Sequence, residues 1–138
     1  MSKPNRLLLV EDEEADVVYF QRLCRKHGVD AAITVVRDGD AALEVLKHPS
    51  VGDAGRFVVV TDLNMPGLTG HELIDEIRGD TSLTANVIFV ISTSDLPDDI
   101  EKAYARHVAG YIIKDTRGER LDAGVKMLSQ YLKSVALP

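Results

Sequence analysis

Tryptophan is absent from the 138 residues, and cysteine occurs once, at Cys24. A lone cysteine excludes an internal disulfide and suits a reducing cytoplasm. No apolar run approaches the roughly 18 residues of a membrane span. The N-terminal stretch MSKPNRLLLVED holds only a short apolar run before acid arrives, less than the roughly 7–15 residues of a secretion signal. An excess of basic residues is missing too. The net charge is −6, which argues against a nucleic-acid-binding role, since that wants a basic face. A membrane-binding role has no support either. Gly-rich phosphate-binding fingerprints, internal repeats and low-complexity tracts are also lacking. What remains is the composition of a soluble globular chain, 45% hydrophobic, with a length that fits one domain and a core needing no staple.

Within that chain, short apolar runs alternate with amphipathic ones. Arg6-Leu7-Leu8-Leu9-Val10, Ala32-Ile33-Thr34-Val35-Val36, Phe57-Val58-Val59-Val60, Val87-Ile88-Phe89-Val90-Ile91 and Gly110-Tyr111-Ile112-Ile113 read as buried strands. Each is followed by a helical pattern. The first carries Val17, Phe20, Cys24 and His27 on one stripe, widened by Val18 and Leu23, with Gly28 as its cap. The second carries Ala42, Leu43, Val45 and Leu46, and a loop is expected over 49–55. Thr69 is the expected N-cap of the third, which Gly79 ends. Asp95 with Pro97 opens the fourth, with a stripe of Ile100, Ala103, Tyr104 and His107. The connector 116–120 leads to a last helix with Leu121, Val125, Leu128 and Leu132. Five strand–helix units imply a parallel sheet covered on both faces. Right-handed crossovers then give a doubly wound, flavodoxin-like (βα)5 fold with strand order 2-1-3-4-5.

In such a sheet all strand C-terminal ends share one edge. Four of the five ends here are polar: Glu11 and Asp12, Asp62, Ser92 and Lys114. Ligands of open α/β sheets bind at that edge, where the strand order reverses. Carboxylates at about 4 Å repel by roughly 4 kcal/mol per pair at an effective dielectric near 20. A shared proton with a raised pKa is one answer. A hard divalent cation is another, and few carboxylates with several waters fit Mg2+. Asp12 and Asp62 are then the expected ligands, with the Asn64 carbonyl as a third. A carboxylate in this setting can also be a nucleophile that forms an aspartyl-phosphate. Lys114 and backbone N–H groups would face the phosphoryl oxygens, and Ser92 would donate to them.

The stretches LLLVEDEEAD, VVVTDLNMPGLTG, IFVISTS and GYIIK, in this order and spacing, resemble the receiver domain of two-component response regulators. The resemblance covers about residues 5–134, with 1–138 read as one receiver domain without an output domain. It implies that Asp62 is the phosphoacceptor, that Glu11 and Asp12 form an acidic pocket for Mg2+, Glu11 acting through water, and that Lys114 contacts the phosphoryl group. It assigns Ser92 as the hydroxyl switch, Tyr111 as the aromatic switch, and Asn64 and Ser94 as positions that tune phosphoryl lifetime. It implies a phosphoprotein that is not an enzyme with an external substrate but catalyses its own phosphorylation and dephosphorylation. Its partners would be a histidine kinase or phosphotransfer protein, an unknown downstream protein, and a second copy docked through the last two strand–helix units, near Tyr104, Arg106 and Tyr111. VEDEEAD, STS and a lysine without a following proline further resemble small regulators paired with phytochrome-type kinases. Asp115 stands where receivers usually have that proline. A cis peptide before a non-proline residue costs about 3–4 kcal/mol, so a trans Lys114–Asp115 bond is expected, with Asp115 competing for the Lys114 ammonium. Serine at position 92, where threonine is frequent, keeps the hydroxyl.

Three other readings compete. A flavodoxin-like cofactor binder needs a phosphate cradle after the first strand, where Glu11-Asp12-Glu13-Glu14 would repel phosphate. An aspartyl-phosphate hydrolase normally has a second Asp two residues after the first, and here that position is Asn64. A phosphorylation-independent binding module has no need of Asp12, Asp62 and Lys114 together.

Overall fold

In a computed structural model, which describes residues 5–48 and 57–138, strands and helices alternate along the chain. The elements are β1 (Arg6–Val10), α1 (Glu14–Lys26), β2 (Ala32–Val36), α2 (Gly39–Lys47), β3 (Val58–Thr61), α3 (Gly70–Gly79), β4 (Val87–Ser92), α4 (Pro97–Ala105), β5 (Gly110–Ile113) and α5 (Glu119–Ser134). The expected loop at 49–55 lies outside the described residues.

All neighbouring strands run parallel, in the order β2-β1-β3-β4-β5. The period-two alternation of a strand splits each apolar run between two cores. Leu8, Val10, Val59, Ile88 and Val90 face α2, α3 and α4, where Leu46, Leu73, Ile74, Ile77 and Ala103 meet them. Leu7, Leu9, Val58, Val60, Phe89 and Ile91 face α1 and α5, against Val17, Phe20, Val125 and Leu128. Strand β3 is buried along its whole length, whereas β2, at the sheet edge, is half-exposed. Position 62 therefore follows the best-supported strand of the sheet.

Local chemistry fixes the helix starts. Asp38 accepts from the Ala41 N–H at 2.8 Å and caps α2. Thr69 and Glu72 form a reciprocal capping box on α3, at 3.2 and 3.0 Å. Gly70 begins that helix because no side chain fits there. A Cβ would lie 2.2 Å from the Asp62 carbonyl oxygen and 2.6 Å from the Leu63 Cα, so α3 is wedged against the end of β3.

Four expectations need correcting. Val18 does not widen the buried stripe of α1; it is exposed, because Val17, Phe20, Leu23 and Cys24 already fill the strip that the sheet covers. In α4 only Ala103 is buried, and Tyr104 is half-exposed. His107 lies beyond the helix with φ +60 and so leaves the helical phase. Pro97 opens α4 as expected, but Asp95 lies before its N-cap. Leu96 holds that position without a side-chain bond, and Ser94 Oγ accepts from the Leu96 N–H at 3.3 Å. Glu119 and Arg120, expected in a connector, already belong to α5.

Candidate functional site

Main-chain bonds continue the ladders past the strand ends and bring the polar termini side by side. The Glu11 N–H donates to the Val36 carbonyl at 3.0 Å, Asp62 to Val10 at 3.1 Å, and Lys114 to Ser92 at 2.8 Å. Glu11, Asp62 and Ser92 are all buried, at 4%, 7% and 0% exposure. The sheet thus carries these polar groups into its own edge, which needs partners for each of them.

Asp62 has a partner on each oxygen. Its Oδ1 accepts from the Leu63 N–H at 2.7 Å and from the Asn64 N–H at 3.3 Å, and its Oδ2 accepts from Lys114 Nζ at 3.2 Å. Lys114 Nζ donates equally to Glu11 Oε2 and Asp16 Oδ2, both at 3.1 Å. An ammonium has three hydrogens, and here each meets one carboxylate. Burial pulls the Lys114 pKa down, but the charges of Asp62 and Glu11 and the bond to Asp16 outweigh it and hold the pKa above the usual lysine range.

The carboxylates exceed what one ammonium can balance. Glu11, Asp12 and Asp62 each offer an oxygen within 4.8 Å of the others. At that separation each ionised pair repels by about 3–4 kcal/mol at an effective dielectric near 20. Burial, helped by the charge of Asp62, pushes Glu11 up to about 7, although its Oε1 accepts from the Glu13 N–H at 3.1 Å. Asp12 Oδ1 is buried without a hydrogen-bond partner. An orphaned carboxylate oxygen beside two further carboxylates is a donor set for a hard cation. Mg2+ fits these residues on that ground.

A second network surrounds Ser92. Its Oγ accepts from the Ser94 N–H at 3.1 Å, and the Ser94 carbonyl accepts from the Tyr111 hydroxyl at 2.8 Å. Ser94 Oγ donates to Asp99 Oδ2 at 2.5 Å, and Asp99 Oδ1 lies 3.3 Å from His71 Nε2. The expected switch and tuning positions Ser92, Tyr111 and Ser94 therefore share one chain of contacts. Asn64 is exposed in the turn after β3.

Two findings depart from the sequence reading. Asp115 does not compete for Lys114. Its carboxylate accepts from the Arg120 N–H at 3.1 and 3.2 Å and so ties the loop to the start of α5, where free N–H groups attract a carboxylate. The Lys114–Asp115 bond is trans, as expected. Asp16 escaped the sequence reading. Its only signal there is spacing, since it follows Asp12 by about one helical turn in EDEEAD.

Residues 7–126 match the sequence model of the response regulator receiver domain. The probable methanogenesis regulatory protein FilR2 of Methanothrix harundinacea is 35% identical over 129 residues, which span 93% of this chain and 83% of that protein. Response regulator Rcp1 of Synechocystis sp. is 30% identical over 138 residues, spanning 98% and 94%. Among solved structures, the phosphorylated cyanobacterial phytochrome response regulator RcpA superposes with a TM-score of 0.85 at 32% identity, covering 99% of both chains. The Mn(2+)-bound form of Rcp1 gives a TM-score of 0.84 at 30% identity, over 98% of this chain and 99% of that one.

Proposed function

The chain belongs to the response regulator receiver domain family of two-component signalling, and from that membership we propose that Asp62 is its phosphoacceptor and Mg2+ its cofactor. The observation that carries the reading is the set of partners on Asp62. Two backbone N–H groups hold Oδ1, and the Lys114 ammonium holds Oδ2, beside the Glu11 and Asp12 carboxylates. The carboxylate is thereby oriented as a nucleophile.

The phosphoryl donor is a phosphohistidine on a histidine kinase or a phosphotransfer protein. An oxygen of Asp62 forms a bond to phosphorus as the phosphorus–nitrogen bond to the imidazole breaks, and the imidazole leaves with the electron pair. Asp12, Asp62, the Asn64 carbonyl and, through water, Glu11 would hold Mg2+, which neutralises charge on the phosphoryl oxygens. Lys114 turns from Asp62 Oδ2 to a phosphoryl oxygen. Slow hydrolysis by water later returns the free carboxylate, so the chain is a phosphoprotein and not an enzyme with an external substrate.

The new group adds about −1.5 to −2 of charge. Ser92 Oγ, which accepts from Ser94 at present, keeps its own hydrogen to donate to the phosphoryl group. Movement of Ser92 and Ser94 releases the Tyr111 hydroxyl, and Tyr111 turns inward. Asn64 and Ser94 govern water access and hence phosphoryl lifetime. The face built by α4, β5 and α5, with Tyr104 exposed and Arg106 and Tyr111 half-buried, then changes partners: a downstream protein or a second copy of the chain. The similarity to RcpA and Rcp1 supports a phytochrome-type kinase as the source of the phosphate. Residues 1–138 act as one receiver domain, in the cytoplasm.

Acetyl phosphate with Mg2+ should add one phosphate to the chain, visible by intact mass. Asp62→Asn should abolish it. Labelling that survives this substitution would refute the assignment, and partner binding unchanged by it would favour a phosphorylation-independent module.

A further inference from the structure

Lys114 needs a device to aim it. The residue after it is Asp115, not proline, and the Asp115 side chain is committed to the Arg120 N–H. That bond fixes the main chain of the loop but leaves the ammonium at the end of a flexible four-carbon stem, with about 2 kcal/mol of rotamer entropy to lose on being held. The three carboxylates on Nζ differ in their other duties. Asp62 loses its carboxylate charge when it becomes an acyl phosphate. Glu11 belongs to the cluster with Asp12 and Asp62. Asp16, in the first turn of α1, lies outside that cluster and meets Lys114 at 3.1 Å.

We propose that Asp16 is the positioning residue for Lys114. It anchors one ammonium hydrogen whatever the state of Asp62, so that Lys114 stays aimed while a second hydrogen passes from Asp62 Oδ2 to a phosphoryl oxygen. The anchoring stands on the geometry alone. Its role during phosphorylation rests on the phosphoacceptor reading given above. The arrangement also ties α1 to the end of β5, so the helix start and the lysine move together. An acidic residue in a first helical turn can merely favour the helix dipole, and the test must separate that role from this one.

Asp16→Asn keeps the size and removes the charge. Without any metal, the rate at which an amine-reactive reagent modifies Lys114, followed by peptide mass spectrometry with Lys126 and Lys133 as references, should rise about three- to fivefold, as suits a half-exposed ion pair. Asp16→Glu should restore most of the protection. With Mg2+ and beryllofluoride, which mimics the phosphoryl group, Asp16→Asn should weaken binding by a similar factor. In a Lys114→Met background it should change nothing. Unchanged Lys114 labelling in a folded Asp16→Asn protein overturns the proposal, and so does a beryllofluoride effect of equal size in the Lys114→Met background. If the parent chain takes up neither phosphate nor beryllofluoride, the phosphoacceptor reading fails, and the labelling result alone decides on Asp16.

Discussion

Glu11 offers a quantitative test of the acidic cluster. Its carboxyl titrates at about 7, against 4.5 for the ordinary group. The folded chain therefore holds a proton between these values that the unfolded chain has lost. Stability falls as pH rises through that window and levels off above 7. The full difference is about 3 kcal/mol at about 1.4 kcal/mol per pH unit. A divalent cation in the cluster reverses the preference. At about 5 Å and an effective dielectric near 20, it attracts the Glu11 carboxylate by roughly 6–7 kcal/mol, which exceeds the cost of ionisation. Binding Mg2+ should then release about 0.9 proton at pH 6 and about 0.1 at pH 8, and apparent affinity should be about tenfold tighter at pH 8. Isothermal titration in two buffers of different ionisation enthalpy counts the protons directly. Glu11→Gln should flatten both the proton release and the stability slope. Proton release near zero at pH 6, or release that persists in Glu11→Gln, would refute the reasoning.

Other perturbations probe the scaffold. Gly70→Ala would set a Cβ against backbone of Asp62 and Leu63; a loss of about 3 kcal/mol or more in a denaturant melt is expected, with slower uptake of phosphate from acetyl phosphate. Arg78 donates to the carbonyls of Arg106, Thr84, Asn86 and His107 at 2.9–3.0 Å. Arg78→Ala should cost about 2–4 kcal/mol, read as a lower thermal midpoint, with Asp62 still phosphorylated below it. Ser94→Ala removes the acceptor for the Leu96 N–H and the donor to Asp99; hydrogen exchange at 96–100 should speed several-fold, and unchanged exchange would mean that the serine does not hold the start of α4.

Much of the fold was legible because its signals are local. The runs at Leu7-Leu8-Leu9-Val10 and Val58-Val59-Val60 are too short and too uniformly apolar for anything but buried strands. Thr69 announces the N-cap of α3, and the structure adds Glu72 as its reciprocal partner. Alternation of strands and helices leaves few topologies, and the polar strand ends then fall on one edge by construction. Helix faces were less legible. Val18 and Tyr104 are apolar or aromatic at plausible helical spacing, yet both are exposed, because the width of the covered strip depends on which strand lies beneath.

The site divides in the same way. Residue order and strand direction suffice to place Asp12, Asp62, Ser92 and Lys114 at the strand ends of one parallel sheet. How the charges are shared depends on the folded geometry. Lys114 pairs with Asp16 as well as Glu11 and Asp62, while Asp115, its covalent neighbour, turns away to α5. Glu11 is the carboxylate whose proton is held, because it is buried beside Asp62. Partner choice among carboxylates a few ångströms apart depends on burial, on side-chain direction and on which free N–H groups compete. None of these is written in the spacing of residues along the chain.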